Sequence, residues 1–202
     1  MGADNQQERL SSTEQKHWFL AGLFEGEGSL CISIKKHPTA AFGFYVDPEF
    51  FIYQHRDRRQ LLELAQSVFQ TGKIFPKPGN PDVLVYAITS RRSISEKVVP
   101  FLKRYMRFSA RKADIERFIE AISLYERGLH KTKDGLKKIV QLAYAMNQNG
   151  KQRKRSLQVV LDRILRGHMP DTDSREDMVR SPQRCGEPGG IRNDLAPQKS
   201  EE

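Results

Sequence analysis

The sequence predicts an α+β domain with one antiparallel sheet of four strands and helices on one face. Three observations predict it. An unusually apolar helix comes first, two pairs of strands flank an amphipathic helix, and only helices follow. No internal repeat is visible, and no apolar run approaches the roughly 20 residues that a membrane-spanning helix needs. We therefore expect one globular domain with no membrane partner.

The individual elements follow from hydrophobic periodicity and from glycine and proline positions. In order, they are a helix over 13–26, strands over 30–36 and 42–54, a helix over 58–69, strands over 72–77 and 83–90, and helices over 94–105, 110–127, 133–146 and 158–166. Thr13 is expected to cap the first helix, and Pro100 to interrupt the third. Strand 30–36 alternates, so Cys31, Ser33 and Lys35 are expected on a solvated face.

Composition divides the chain into three segments. Residues 1–12 are polar and are expected to be flexible, and residues 13–169 are expected to form the domain. Residues 170–202 contain proline, glycine, serine and charged side chains with almost no aliphatic ones. Such a segment cannot bury enough apolar surface to fold, so we expect a disordered tail.

The charge of the domain suggests a polyanionic partner. The whole chain has a net charge of +9, but the part up to Pro170 holds 29 basic and 17 acidic side chains, which is +12. A body this basic is typical of nucleic-acid-binding proteins, although charge alone also fits a basic protein without such a partner.

The chemistry is concentrated in one segment, Leu20–Ser29, with the sequence LAGLFEGEGS. Gly22 and Gly26 lie four residues apart on one face of the predicted helix, where the missing Cβ lets another backbone approach closely. Each glycine destabilises a helix by about 1 kcal/mol relative to alanine. We therefore expect a tight helix–helix contact that offsets this loss of stability. Glu27 lies where the helix ends, next to Gly28, and can face a ligand.

This segment resembles the LAGLIDADG signature of the homing endonucleases: Leu-Ala-Gly, two apolar residues, then acid-Gly-acid-Gly. Glu25 and Glu27 stand where the signature has aspartate. The element order over about residues 13 to 127 is similar to the α-β-β-α-β-β-α core of that family. The resemblance implies an enzyme that cuts both strands of double-stranded DNA across the minor groove at a long target, and an intron-encoded origin.

The resemblance also implies a metal site. It assigns the metal-binding and catalytic carboxylate to Glu27, with the backbone carbonyl of Gly26 as a further ligand. Mg²⁺ is the expected ion, because it prefers hard oxygen ligands and because phosphodiester hydrolysis needs a metal that activates water. Mn²⁺ or Ca²⁺ could replace it for binding. Glu25 is favoured as a cap or an intrachain partner, and no organic cofactor is implied.

A single copy of the motif implies a homodimer, because the family's catalytic centre needs two. The expected dimer interface is formed by the small and apolar residues of the first helix, namely Leu20, Gly22, Leu23 and Gly26. Two-fold symmetry of the protein then predicts a nearly palindromic DNA target.

Two further catalytic residues are carried over from the resemblance. Gln54 matches a glutamine that positions a water near the metal, and Arg58 matches a basic residue near the scissile phosphate. The family also has a lysine before the fourth predicted helix, but Ser109 falls at that point here, which leaves that role open. Three basic residues could substitute for it: Arg107, Arg111 and Lys112.

The strands are expected to supply the DNA-contacting surface, because a sheet face can enter the major groove while basic groups bind phosphates. The candidate contacts are Ser33, Lys35, Lys36, Tyr45, Arg56, Lys73, Lys77, Tyr86, Arg91, Arg92, Arg111 and Lys112.

Two alternatives remain open at the level of sequence: an RNA-binding intron maturase, and a DNA-binding regulator that does not cut, both on the same fold. An intact acid at Glu27 favours cleavage. The composition is richer in Arg and Gly than is usual for AT-rich organellar genes, which favours a bacterial cytoplasm over an organelle as the location.

Overall fold

The computed structural model describes residues 4–147, 153 and 155–166, with side chains described from residue 12 onwards. The elements of this part are α1 (Asp4–Glu27), β1 (Gly28–Lys36), β2 (Phe44–His55), α2 (Arg59–Phe69), β3 (Lys73–Lys77), β4 (Asn80–Ile88), α3 (Arg91–Ser93), α4 (Val99–Tyr105), α5 (Lys112–Glu126), α6 (Lys133–Ala145) and α7 (Leu157–Arg166). Their order confirms the predicted α+β class. None of the described helices is both long and apolar enough to cross a membrane.

The four strands form one antiparallel sheet in the order β1-β2-β4-β3. Gly28, the first residue of β1, pairs with Ile52, so the end of α1 lies beside the last residues of β2. The tight turn between β3 and β4 depends on Gly79, whose φ of +81° falls in the left-handed region that favours glycine. The sheet therefore brings the helix end, the end of β2 and the start of α2 to one side of the molecule.

One face of the sheet packs against the helices. Alternate residues of the strands, such as Leu30, Ile52 and Tyr86, join side chains from the helices in the main hydrophobic core. Phe24 of α1 stacks on Phe50 of β2, with ring centroids 4.7 Å apart. This contact fixes α1 on the sheet, and with it the position of the helix end.

The opposite face, which we call the outer face, carries the other alternate residues: Cys31, Ser33, Lys35, Tyr45, Asp47, Glu49, Phe51, Tyr53, Lys73, Phe75, Lys77, Val83, Val85 and Ala87. Its middle is a second apolar cluster that includes Phe51 and Val85. The expectation of solvated side chains at Cys31 and Ser33 is wrong, since they are 0% and 6% exposed. Alternation within β1 could not show that aromatic and aliphatic residues of β2 and β4 share this face.

Two predicted helix features need correction. The first helix begins at Asp4 rather than at Thr13, because residues 4–12 contain no proline or glycine that would stop it. Thr13 is therefore inside α1 and is no cap. Pro100 does not break a helix, since it lies in the first turn of α4, where its missing N–H is not needed. The irregularity is a π-helical turn just before it, at Ile94–Val98.

The remaining domain limits stay predictions. The backbone of the segment expected to be flexible, 1–12, is helical from Asp4. The expected disordered tail, 170–202, lies outside the described residues.

On the edge strand β1, Asn147 Nδ2 donates to the Leu30 carbonyl at 2.7 Å and Arg153 Nη2 to the Ile32 carbonyl at 3.0 Å. These side chains occupy main-chain acceptors that would otherwise invite pairing with another strand.

Candidate active site and nucleic-acid interface

The change from α1 to β1 is abrupt, because Glu27 ends the helix and Gly28 begins the strand. A Cβ at Gly28 would overlap both the ring and the carbonyl oxygen of Phe24, so only glycine fits at this junction. The backbone therefore leaves the buried helix next to Glu27, at the surface of the domain.

The two acids of the motif have different surroundings. The Glu25 carboxylate accepts hydrogen bonds from Ser109 Oγ at 2.6 Å and from the Ala110 backbone N–H at 3.0 Å. Glu25 is thus an intrachain partner, as predicted. Glu27 is exposed, and within the described part of the chain its side chain has no hydrogen bond or ion pair. Glu27 is the acid that remains available to a ligand.

A basic side chain lies beside this helix end. Arg111 donates from Nη1 to the Gly28 carbonyl at 2.8 Å, and its guanidinium lies 5.4 Å from the centre of the Phe24 ring. Burial lowers the pKa of Arg111, whereas the negative charges of Glu25 and Asp114 act in the opposite direction. A guanidinium remains charged at neutral pH, so a positive charge is fixed at the motif end.

The other two basic residues of this loop are placed differently. Arg107 is exposed, and Lys112 is an exposed residue of α5 within 3.9 Å of Glu116. Sequence reasoning could not choose among the three, because the choice depends on the Glu25–Ser109 contact between residues 84 positions apart. That contact occupies Ser109 and positions the next turn so that Arg111 points at Gly28.

Gln54 lies near the same end of the sheet. It is only 7% exposed, and it sits two residues beyond Ile52, the partner of Gly28. Arg58 ends a short 3-10 segment, Arg56–Arg58, and is exposed. Among the described residues it forms no ion pair, so its guanidinium is available. The structure thus gathers Glu27, Gln54 and Arg111 at one end and leaves Arg58 just beyond them.

Within the described part of the single chain, nothing covers the outward face of α1 at its two glycines. A Cβ added at Gly22 or Gly26 would meet nothing within 4 Å, and Phe19 is 50% exposed. Phe19, Gly22 and Gly26 share this face at helical spacing with Leu23, which is also partly packed against the main core. We call these four residues the α1 outward stripe.

The assignment of Leu20 to a dimer interface is wrong, because its side chain is 0% exposed within the chain's own core. Leu20 lies four residues before Phe24, so both point towards the sheet. Phe19, which the sequence interpretation did not select, takes its place on the exposed face. A helix that is apolar on several sides does not reveal which side faces its own sheet.

Most of the predicted DNA contacts lie on the outer face or around its rim. Lys35 and Tyr45 are exposed cross-strand partners, and Lys73 and Lys77 lie on the edge strand β3. Arg56 pairs with Asp82 at 3.3 Å, Arg91 with Asp47 at 2.7 Å, and Arg92 with Glu96 at 2.8 Å. Lys36 pairs with Phe44 on the helix-facing side, so alternation separates it from the outer face.

The assignment of Tyr86 to the DNA-contacting surface is wrong. Tyr86 pairs with Ile52 and Ile74 on the helix-facing side of the sheet and is 0% exposed. Its hydroxyl donates to the Thr71 carbonyl at 2.7 Å, and burial raises its pKa. The sequence leaves open which alternate residues of β4 face the helices, and the observed register decides it.

Sequence reasoning also missed two acids on the outer face, Asp47 and Glu49. Both alternate with Tyr45 along β2, so the same periodicity that selected Tyr45 could have found them. A surface expected to bind DNA directs attention to its basic residues, and acids on the same face are then easily overlooked.

Comparison with known proteins agrees with this fold and motif, which define a LAGLIDADG core with one motif per chain. The model of the family described as LAGLIDADG endonuclease matches residues 20–122, just over half of the sequence. The chain belongs to the LAGLIDADG endonuclease family.

Relatives are found in sequence and in structure. DNA endonuclease I-CeuI of Chlamydomonas moewusii is 46% identical over 99 residues, which are 49% of this chain and 45% of that protein. The chain thus spans less than half the length of that relative. The structure of the group I intron-encoded homing endonuclease I-CeuI complexed with DNA has a TM-score of 0.69 and 35% identity, covering 74% of this chain and 76% of that one. The archaeal intron-encoded homing endonuclease I-Vdi141I complexed with DNA has a TM-score of 0.70 and 31% identity, covering 76% and 96%.

Proposed function

We propose that this protein is a site-specific homing endonuclease that hydrolyses both strands of double-stranded DNA at a long, nearly palindromic target. The observation that carries the proposal is the exposed carboxylate of Glu27 at the end of α1, which has no partner among the described residues, together with the cation of Arg111 held at the adjacent Gly28. The names of the two structural relatives support it, since both are homing endonucleases complexed with DNA. An intron-encoded origin and a bacterial host belong to the same proposal.

The active form is a homodimer. Glu25 is occupied by Ser109 and Ala110, so among the described residues one chain offers one free acid at the motif end, Glu27. The α1 outward stripe offers a surface on which a second copy can pack closely, because two of its four residues are glycine. Two-fold packing there would bring the two Glu27 carboxylates towards the same axis and complete the site.

The donor groups at the motif end fit Mg²⁺. Glu27 supplies a carboxylate, and Gly26 lies in the last turn of α1, where backbone carbonyls have no helical N–H partner. Mg²⁺ takes one or two carboxylates and retains several waters, so few protein ligands suffice. When bound, such an ion activates water and stabilises the leaving oxygen. Mn²⁺ or Ca²⁺ could occupy the same ligands.

Other residues act on the phosphate and the water. Gln54 would orient a water through its amide, and Arg58 and Arg111 would stabilise negative charge on the phosphate in the transition state. Arg111 is pre-positioned for this, since its bond to Gly28 and its contact with Phe24 hold the guanidinium before DNA arrives. Lys35, Tyr45, Lys73 and the other outer-face residues would contact the flanking bases and phosphates.

The test is a cleavage assay on a library of randomised duplex sites, with Mg²⁺ or with EDTA. We expect metal-dependent double-strand cuts at one nearly palindromic sequence. Tight DNA binding without cleavage would replace this proposal by a DNA-binding regulator. Preferential binding of a structured intron RNA would replace it by a maturase.

Arg111 gives a prediction for the chemical step. Arg111→Gln should lower the single-turnover cleavage rate by about 10²- to 10³-fold, because a preorganised donor at the developing charge is lost. DNA affinity measured in Ca²⁺ should change little, and Arg111→Lys should recover part of the rate. The matched control is Lys112→Gln, which removes a neighbouring exposed cation expected to bind phosphate: it should weaken DNA binding but leave the single-turnover rate at saturating protein nearly normal. Equal rate losses in the Gln variants at both positions would contradict the assignment to Arg111.

Tyr86 gives a prediction for the corrected surface. Tyr86→Phe should lower the free energy of unfolding by about 1 kcal/mol, because a buried hydrogen bond to Thr71 is lost. Its affinity for target DNA should be unchanged. Tyr45→Phe is the control on the outer face, where the hydroxyl is hydrogen-bonded, among the described residues, to the exposed Thr39. Chemical denaturation and DNA titration measure the two quantities. If Tyr86→Phe bound DNA more weakly and kept the stability of wild type, Tyr86 would be a DNA contact, as the sequence first suggested.

A further inference from the structure

A pair of acids lies within the basic surface that would meet DNA. Asp47 and Glu49 project from β2 onto the outer face, and their cross-strand partners are Ser33 and Cys31. Carboxylates on such a surface oppose binding to a polyanion unless they serve another purpose. Their contacts indicate what that purpose is.

Asp47 bridges two cations that come from different elements. Its Oδ1 accepts from Arg91 Nη2 at 2.7 Å, and its Oδ2 lies 3.1 Å from Lys35 Nζ. The Arg91 guanidinium also lies 4.7 Å from the centre of the Tyr125 ring, on α5. Burial acts to raise the pKa of Asp47, but the hydrogen bonds from Lys35 and Arg91 outweigh it, so the pKa is lowered. Asp47 is therefore ionised at neutral pH and holds both cations.

Glu49 completes the arrangement from the other side of Lys35. Its Oε2 accepts from Ser33 Oγ at 2.7 Å, and its Oε1 lies 3.6 Å from Lys35 Nζ. Lys35 is consequently held between two carboxylates, although 45% of its side chain remains exposed. The Arg91 side chain, which Asp47 holds, likewise remains 43% exposed. Both cations are still accessible from solvent, but their ion pairs restrict each side chain to one conformation.

We propose that Asp47 is a specificity-determining residue that withholds Lys35 and Arg91 from DNA of arbitrary sequence. A mobile Lys or Arg binds any phosphate, and this attraction supplies most non-specific affinity. A cation already paired with a carboxylate gains little from a phosphate, but a held Lys or Arg can still donate to the O6 and N7 acceptors of guanine. The inference rests on the proposed DNA-binding function and extends it to the choice of target.

The test compares wild type with Asp47→Asn, which keeps the size of the side chain and removes its charge. The probes are a duplex of mixed sequence and the duplex selected by cleavage, both titrated in Ca²⁺ over a series of salt concentrations. For Asp47→Asn we expect affinity for the mixed duplex to rise on the order of 10-fold, with a salt dependence steeper by about one to two released counterions. Preference for the selected duplex should fall correspondingly.

Two further variants separate charge from structure. Asp47→Glu keeps the negative charge and should behave as wild type towards the mixed duplex. Glu63→Gln removes an acid from a comparable pair, with Arg59 at 2.8 Å, but on α2 behind the sheet, and should change neither affinity nor salt dependence. Thermal denaturation checks that each variant is folded.

The inference is overturned if Asp47→Asn binds the mixed duplex no better than wild type, or if Glu63→Gln gains as much. A wild-type protein that binds neither duplex would instead overturn the proposed function. An affinity gain shared by Asp47→Glu would show that geometry rather than charge is responsible, which also overturns it.

Discussion

Replacing Glu27 by glutamine is expected to abolish DNA cleavage while leaving the fold and DNA binding intact. In the described structure the Glu27 side chain is exposed and has no partner, so its loss breaks no intrachain contact. An amide cannot balance the charge of a divalent ion as a carboxylate does. Since the metal would supply several kcal/mol of transition-state stabilisation, the single-turnover rate should fall by about 10³-fold or more.

The measurement compares cleavage of the selected duplex in Mg²⁺ with affinity for it in Ca²⁺. Glu25→Gln is the matched control, because it makes the same chemical change two residues earlier, at an acid that Ser109 and Ala110 already occupy. It should affect stability more than chemistry. If Glu27→Gln cut within about 10-fold of wild type, Glu27 would not be the metal-binding acid.

Gly22→Leu is expected to separate the dimer and to suppress double-strand cleavage without unfolding the chain. Among the described residues a Cβ at Gly22 meets nothing within 4 Å, so a side chain can leave the helix there without a clash at its first atom. Leucine also favours the helix over glycine by up to about 1 kcal/mol, which should maintain or raise the stability of the isolated chain. Two helices that approach closely through glycine have no room for the new side chain.

Analytical ultracentrifugation should show a monomer for Gly22→Leu under conditions where wild type is a dimer, and double-strand cleavage should drop at least about 100-fold. Thr13→Leu is the control, since it adds the same side chain to an exposed position of α1 about 180° away from Gly22 around the helix. It should remain a dimer. A dimeric, active Gly22→Leu protein would show that the copies meet elsewhere.

The sequence alone determined the order of helices and strands, because each element carries its own periodicity. It also identified Glu27 as the acid at the end of α1, since the alternation of acid and glycine places that side chain at the helix–strand junction. Gly22 and Gly26 could be selected in the same way, because two glycines in an apolar helix are unfavourable without a close contact. All these features depend on residues within about ten positions of one another.

The tertiary structure decided which sides of those elements are buried and which distant residues meet. Leu20 and Tyr86 looked available in sequence, yet sheet register and helix rotation direct both into the core. Arg111 became the cation at the motif end through a contact between Glu25 and Ser109, and Asp47 acquired its partner Arg91 from 44 residues away. Local patterns fix the conformation of a segment, but the face it presents is set by burial energy summed over the whole fold, which no single segment contains.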